Sequence, residues 1–262
     1  MLLNRLHLAT RARRLTTLAV MATALTGCQS ITGNQPVTQV RVIDASPDAP
    51  NLDIYQNSPS QPAQVGLYNI GFGTVSSYIS IAPGVTVHAA YIANTQQELA
   101  QVRGSFFAGT QYTVLAGNVA ANLQMSVLKD QSTPAPAGQV ALRFLGQATR
   151  AGAVDLYLVP SGSSLAGIAP IATGIGFGGN TGYVYAPSGT YSIVAFAAGA
   201  APNAAAPVYT GSQTSYPGGS ARTIVLIDQR NDPQAVDLTD QQPAVTPALQ
   251  IITADDFDPS AS

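Results

Sequence analysis

The chain has 262 residues, a formal charge of −2, and only 9% charged side chains, against 24 glycines and 18 prolines. It carries no basic patch that could neutralise a phosphate backbone, which argues against nucleic acid as a partner. Glutamate occurs once, as Glu98, and lysine and arginine are sparse. Helices ordinarily need such residues on their wet face, so the composition, rich in Gly, Pro, Thr, Val and Tyr, predicts strands joined by tight turns.

In chain order, a basic segment (Arg5, Arg11, Arg13, Arg14) precedes an apolar run from Leu15 to Leu25, and small residues lead to Cys28, the only cysteine. That order reads as an export signal. The apolar run falls short of the roughly twenty residues that span a bilayer. Arg13-Arg14 is followed by Thr16 and Thr17, where a twin-arginine signal wants apolar residues, so the general secretory route is expected. Leu25-Thr26-Gly27-Cys28 resembles the lipobox of bacterial lipoproteins. The resemblance implies cleavage after Gly27, lipid on Cys28, and a membrane partner reached through that lipid. Gln29 then implies the outer membrane where a cell has two. Residues 1–27 are thus expected to be signal peptide and 28–36 a lipidated tether.

The remainder reads as two copies of one unit. Val40-Arg41-Val42-Ile43 and Asn51-Leu52-Asp53-Ile54-Tyr55 match Leu142-Arg143-Phe144-Leu145 and Ala153-Val154-Asp155-Leu156-Tyr157. Ile70-Gly71-Phe72-Gly73 matches Ile175-Gly176-Phe177-Gly178, Tyr78 matches Tyr183, and Tyr112-Thr113-Val114-Leu115 matches Arg222-Thr223-Ile224-Val225. Asp130-Gln131 is set against Asp240-Gln241. Period-two alternation and turn signals about every ten residues indicate short half-buried strands. The expected organisation is a first β-sandwich over 37–131, a Pro-stiffened linker over 132–138, a second sandwich over 139–241 and a flexible tail over 242–262. Alternation assigns Val42, Leu52, Ile54, Tyr78, Val114, Phe144, Val154, Leu156, Tyr183 and Val225 to the two cores, with Phe72 and Phe177 as core plugs.

The stretch from Val40 to Tyr55, with its Ser46-Pro47-Asp48-Ala49-Pro50 segment, and the stretch from Phe72 to Tyr78 resemble a bacterial extracytoplasmic family, domain of unknown function 4397. The resemblance covers the whole first copy. The second copy keeps the strands and lacks the Ser-Pro-Asp-Ala-Pro segment. It implies tandem immunoglobulin-like antiparallel sandwiches, an all-β fold, and no established activity.

Candidate sites are few. Arg41/Asp53 and Arg143/Asp155 lie on consecutive predicted strands, opposite the aliphatic faces, and are expected to meet as cross-strand pairs. Asp44, Ser46, Asp48, Asn51 and Asp53 are spaced like oxygen donors for a hard cation, but two prolines stiffen the loop and the second copy offers Gln147, Thr149 and Arg150 instead, so an Asx-rich turn is expected and no metal. Gly174-Ile175-Gly176-Phe177-Gly178-Gly179 satisfies a dinucleotide-binding pattern, yet a strand follows it where a helix is required. His88, in a strand, corresponds to Ile193 and is expected to be a packing residue, not a catalytic base. Tyr68, Tyr91, Tyr185, Tyr191, Tyr209 and Tyr216 form cross-strand packing or an exposed stripe. The reading is a non-enzymatic envelope protein without cofactor, presenting two sandwiches to an unknown envelope protein or glycan. The alternative is a ligand- or carbohydrate-binding lipoprotein of a transport system, with a pocket between the copies.

Overall fold

Seventeen strands and no α-helix make up the described residues of this computed structural model, 37–59, 61–229 and 249–261. Residues 27 and 28, with the whole signal and the tether, lie outside them. No helix among the described residues is long and apolar enough to cross a membrane.

The first half runs β1 (Thr38–Asp44), β2 (Leu52–Ser58), β3 (Gln61–Ile70), β4 (Ile79–Ile81), β5 (Gly84–Ile92), β6 (Glu98–Phe106), β7 (Gln111–Gly117) and β8 (Gln124–Lys129). The second runs β9 (Gln139–Gly146), β10 (Val154–Pro160), β11 (Ala172–Ile175), β12 (Asn180–Pro187), β13 (Gly189–Ala197), β14 (Tyr209–Thr210), β15 (Thr214–Tyr216), β16 (Ala221–Asp228) and β17 (Leu249–Phe257). Each half is a sandwich of an inner and an outer sheet. The inner sheets are β4-β1-β7-β8 and β12-β9-β16-β17; the outer sheets are β3-β2-β5-β6 and β11-β10-β13-β14, with β15 also on β13. The strand orders of the two halves correspond one to one. Pairing is antiparallel except for one parallel ladder in each inner sheet, β1 with β7 and β9 with β16.

Alternation explains the two sandwich cores. Val40, Val42, Tyr112 and Val114 of the first inner sheet face Leu52, Ile54 and Ala90 of the outer sheet. Val140, Leu142, Phe144, Ile224 and Leu226 do the same against Leu156 and Ile193. The opposite faces of the inner sheets are not wet. Ile43, Leu115, Leu145, Val225, Ile227 and Ala254 form a third apolar cluster that joins the two sandwiches. The layers therefore run outer, inner, inner, outer, and all described residues belong to one compact unit, Pro36–Ser262. Strands buried on both faces read as unbroken apolar runs, which corrects one core assignment: Val225 sits in the cluster between sandwiches, and its neighbour Ile224 sits in the sandwich core.

The flexible tail is also corrected. Leu249–Phe257 pairs antiparallel along β16 as an edge strand of the second inner sheet. The Leu249-Gln250-Ile251-Ile252-Thr253 run carries the strand signal that the surrounding Pro, Ala and Asp obscured. Asp240 and Gln241 lie outside the described residues. In the fold the counterpart of Asp130 is Asp256.

Candidate binding site

The expected cross-strand pairs Arg41/Asp53 and Arg143/Asp155 do not form. β1 and β2 belong to opposite sheets, as do β9 and β10, so Arg41 and Asp53, or Arg143 and Asp155, are not on neighbouring strands. Asp53 instead accepts hydrogen bonds from the backbone N–H of Asn69 (2.8 Å) and Asn94 (2.9 Å), both with positive φ. Asp155 accepts from Gly174 and Gly199 (both 2.8 Å), again at positive φ. Each aspartate thus pins two left-handed turns at one end of its outer sheet.

The arginines turn the other way, into the seam between sandwiches, and exchange partners across it. Arg41 Nε donates to Thr113 Oγ1 (2.9 Å), Nη1 to the Asp255 carbonyl (2.7 Å), and Nη2 to Asp256 Oδ1. Arg143 Nε donates to Thr223 Oγ1 (3.0 Å), Nη1 to the Lys129 carbonyl (3.0 Å), and Nη2 to Asp130 Oδ1 (2.6 Å). Each carboxylate is completed by two hydroxyl donors from its own half: Thr113 and Tyr78 on Asp130, Thr223 and Tyr183 on Asp256, at 2.7 and 2.8 Å in both. The guanidinium groups lie 4.8 and 4.9 Å from the ring centres of Tyr78 and Tyr183. Those tyrosines, assigned to the sandwich cores by alternation, belong to this network.

Burial works against the charge of Arg41, but Asp256 and Asp130 more than offset it and hold the guanidinium above its usual range. Burial pushes the Asp256 carboxyl up; Arg41 opposes that and Asp130 adds to it. Burial also pushes the Tyr78 and Tyr183 phenols far up, and the neighbouring carboxylates add to the effect, so both stay protonated donors. Two cations and two anions with their bonds satisfied make a tie, with no nucleophile or exposed acid to do chemistry.

The other candidates fall apart spatially. Asp44 Oδ1 accepts from the Ser46 N–H (3.0 Å) in an Asx turn, Asp48 accepts from the Ala120 N–H (2.7 Å), and Asn51 bonds Asn69 (3.0 Å). Among the described residues, no group of three His, Cys, Asp or Glu side chains could hold a metal. Gly176–Gly179 is a turn between β11 and β12, without a helix to receive a pyrophosphate. Phe177 is 43% exposed there, which corrects its assignment as a core plug; Phe72 packs partly buried against the seam.

His88 is 1% exposed, edge-on to Phe106 at 5.1 Å, and burial pushes its pKa down to about 4. The depressed folded value means that the unfolded chain, titrating near 6.5, binds the proton better. Stability is therefore full above about pH 6.5, is lost progressively between about pH 6.5 and pH 4, and falls by about 3 kcal/mol in all. Urea unfolding at pH 7 and pH 4.5 should show this loss, and His88→Ile, the residue of the second half, should flatten it. An equal acid loss in the variant would assign the effect elsewhere.

The outer sheets differ between the halves, and here a binding surface emerges. In the second half Tyr157 and Phe196 meet at 5.7 Å on the outward face, and Val159, Val194, Leu165, Ile168, Ala200 and Ala205 bury them under the β10–β11 and β13–β14 loops. The same register positions in the first half hold Tyr55 and Tyr91, 4.7 Å apart, with no such roof. Tyr91 donates its hydroxyl to Glu98 (2.8 Å), and Arg103 stands exposed on β6. Beside them a shallow cleft of 230 Å³ is lined by Asn57, Pro59, Val85, Val87 and Arg103. A second cleft, of 240 Å³, opens at the sandwich end and shares Asn57 and Ser58 with the first. Of the six tyrosines singled out by sequence, Tyr68 and Tyr185 are largely exposed, while Tyr191 and Tyr216 pack on each other at 6.1 Å. Nothing in the sequence marks Gln56, and Tyr55 is marked only by its recurrence as Tyr157.

Three solved structures show distant likeness. One is a family 26 carbohydrate-binding module from Eubacterium rectale Amy13K in complex with maltoheptaose (10% identity, TM-score 0.25, 75% of this chain and 98% of that one). Another is a leucine-rich repeat protein from Bacteroides thetaiotaomicron (11%, 0.18, 72% and 25%). The third is the Bacillus anthracis TIE protein (8%, 0.23, 84% and 44%). At such scores these likenesses carry no argument about activity. No curated protein matches the chain. Residues 38–157, which take in the first sandwich and extend through β9 into β10, match the family described as Domain of unknown function (DUF4397).

Proposed function

We propose that this is a non-enzymatic, exported protein of the cell envelope, anchored by lipid on Cys28 after cleavage behind Gly27. Its two sandwiches are copies of one domain, fixed to each other, and the first presents its open outer face to an envelope protein or glycan. The carrying observation is the contrast between halves: the aromatic pair that Leu165, Ile168, Ala200 and Ala205 cover in the second half is uncovered in the first. Tyrosine rings beside an arginine are the composition that concentrates binding energy at interfaces. The 240 Å³ end cleft supports the second reading, a small-ligand or carbohydrate-binding lipoprotein of a transport system, with the site inside the first sandwich and not between the copies.

The test is a crosslinking pull-down from intact cells with wild type, Cys28→Ala and Tyr91→Ala/Arg103→Ala. Radiolabelled palmitate should enter wild type and be absent from Cys28→Ala. A partner captured by wild type should be lost in the face variant. Retention by the face variant would remove that surface from the proposal, and palmitate in Cys28→Ala would remove the anchor.

A further inference from the structure

The halves serve as internal controls for each other at the end of the sandwich core. In the second half Leu158 and Ile193 pair across β10 and β13, and Tyr191 lies two residues before Ile193. All three pack in the apolar core together with Tyr216. That end is closed. In the first half the same register positions are Gln56 and His88, and Thr86 stands two residues before His88. Here the end is hollow: the 240 Å³ cleft is lined by Gln56, Gln64, Ser80 and Thr86, with Pro62 and Ile81 on its apolar side.

The polar groups at this end are incompletely satisfied. Gln56 Oε1 and His88 Nε2 are both buried without a hydrogen-bond partner among the described residues. A buried acceptor left unpaired costs about 1–3 kcal/mol; His88 is not part of the cleft lining, but Gln56 is, so its amide, turned toward the space, can meet a guest that supplies hydroxyl donors. The lining includes no charged side chain, so an ionic guest would be desolvated without a counter-charge. A purely apolar guest would leave the amides and hydroxyls unpaired. The space is that of roughly eight waters.

We propose that this cleft binds one neutral polyhydroxylated ring, a sugar unit. Gln56, Gln64, Ser80 and Thr86 meet its hydroxyls, and Pro62 and Ile81 lie against its C–H face. Because Asn57 and Ser58 border both clefts, further rings of a glycan leave the end cleft across Asn57 toward Val87 and Arg103 on the open face. This assignment rests on the reading of the first sandwich as the binding half and names its ligand class.

The full chain is titrated with glucose, galactose, mannose and N-acetylglucosamine, followed by amide shifts in nuclear magnetic resonance. At least one sugar should bind with a dissociation constant in the range of about 1–10 mM and shift the amides of Gln56, Gln64, Ser80 and Thr86. Gln56→Leu/His88→Ile, which rebuilds the closure of the second half, should weaken binding at least about tenfold, or about 1.4 kcal/mol. Thr86→Val supplies a milder variant with the same expected direction should the double change impair folding. Tyr185→Ala, at an exposed position of the second half, should leave monosaccharide binding unchanged, while partner capture by Tyr91→Ala/Arg103→Ala reads the open face separately from the cleft. Absence of shifts for every sugar at about 100 mM, equal binding by the closed variants, or tighter binding of glucuronate than of glucose would overturn the assignment.

Discussion

Arg41→Met is expected to lower the free energy of unfolding by about 3–5 kcal/mol, the range seen when one partner of a buried ion pair is removed. The substitution leaves Asp256, 3% exposed, without its guanidinium, and leaves the Asp255 carbonyl without its donor. Arg143→Met should do the same to Asp130 and the Lys129 carbonyl. Because each arginine bonds the carboxylate of the other half, both variants should loosen the seam as well as their own sandwich. Hydrogen exchange should therefore rise in β8 of the first half and β17 of the second together. Arg41→Met combined with Asp256→Leu should recover part of the loss, since an apolar pair of similar size replaces a buried ion pair at little net cost. Chemical denaturation of the four species gives the coupling. A loss below about 1 kcal/mol for Arg41→Met would mean that the network is wet and contributes little.

Gly146→Ala is expected to cost about 3–5 kcal/mol, at the upper end of single substitutions. A Cβ at Gly146 would lie 2.0 Å from the Gly176 carbonyl oxygen and 2.8 Å from its carbon. That approach is held by backbone bonds on both sides: Gly146 N–H donates to the Gly179 carbonyl (2.9 Å), and Gly178 N–H to the Gly146 carbonyl (2.8 Å). The glycine-rich run that mimics a nucleotide fingerprint thus has a steric duty, to bring two backbones together at the end of the second sandwich. Gly117→Ala provides the comparison. There the Cβ would meet Gln147 Oε1, a side-chain atom able to move, at 2.1 Å, and the cost should be smaller. Melting of both variants in parallel checks the ranking; equal losses would show that the Gly176 turn yields as easily as a side chain.

Much of the fold could be read along the chain. The scarcity of helix-forming charged residues and the alternation in β1, β2 and β10 identify an all-β protein, and Arg41, Asp53, Tyr78 and Thr113 recur as Arg143, Asp155, Tyr183 and Thr223. Of these, the sequence singles out Arg41, Asp53, Arg143 and Asp155 as paired charges, assigns Tyr78 and Tyr183 to the cores, and marks Thr113 and Thr223 only by their recurrence. Their roles were not legible, because alternation tells which side of a strand a residue occupies and is silent on what faces that side. Arg41 and Asp53 point away from the aliphatic core of the first sandwich, but from different sheets, so one enters the seam and the other caps turns.

What the sequence by itself determined is the all-β strand content and the turn glycines, since these follow from local backbone preference and composition. What only the tertiary structure decided is the seam with its exchanged ion pairs, the fourth strand β17, and the contrast between a roofed and an open outer face. The seam and the face contrast depend on contacts between segments far apart in the chain, which leave no local periodicity, whereas the strand signal of β17 is obscured by the Pro, Ala and Asp around it.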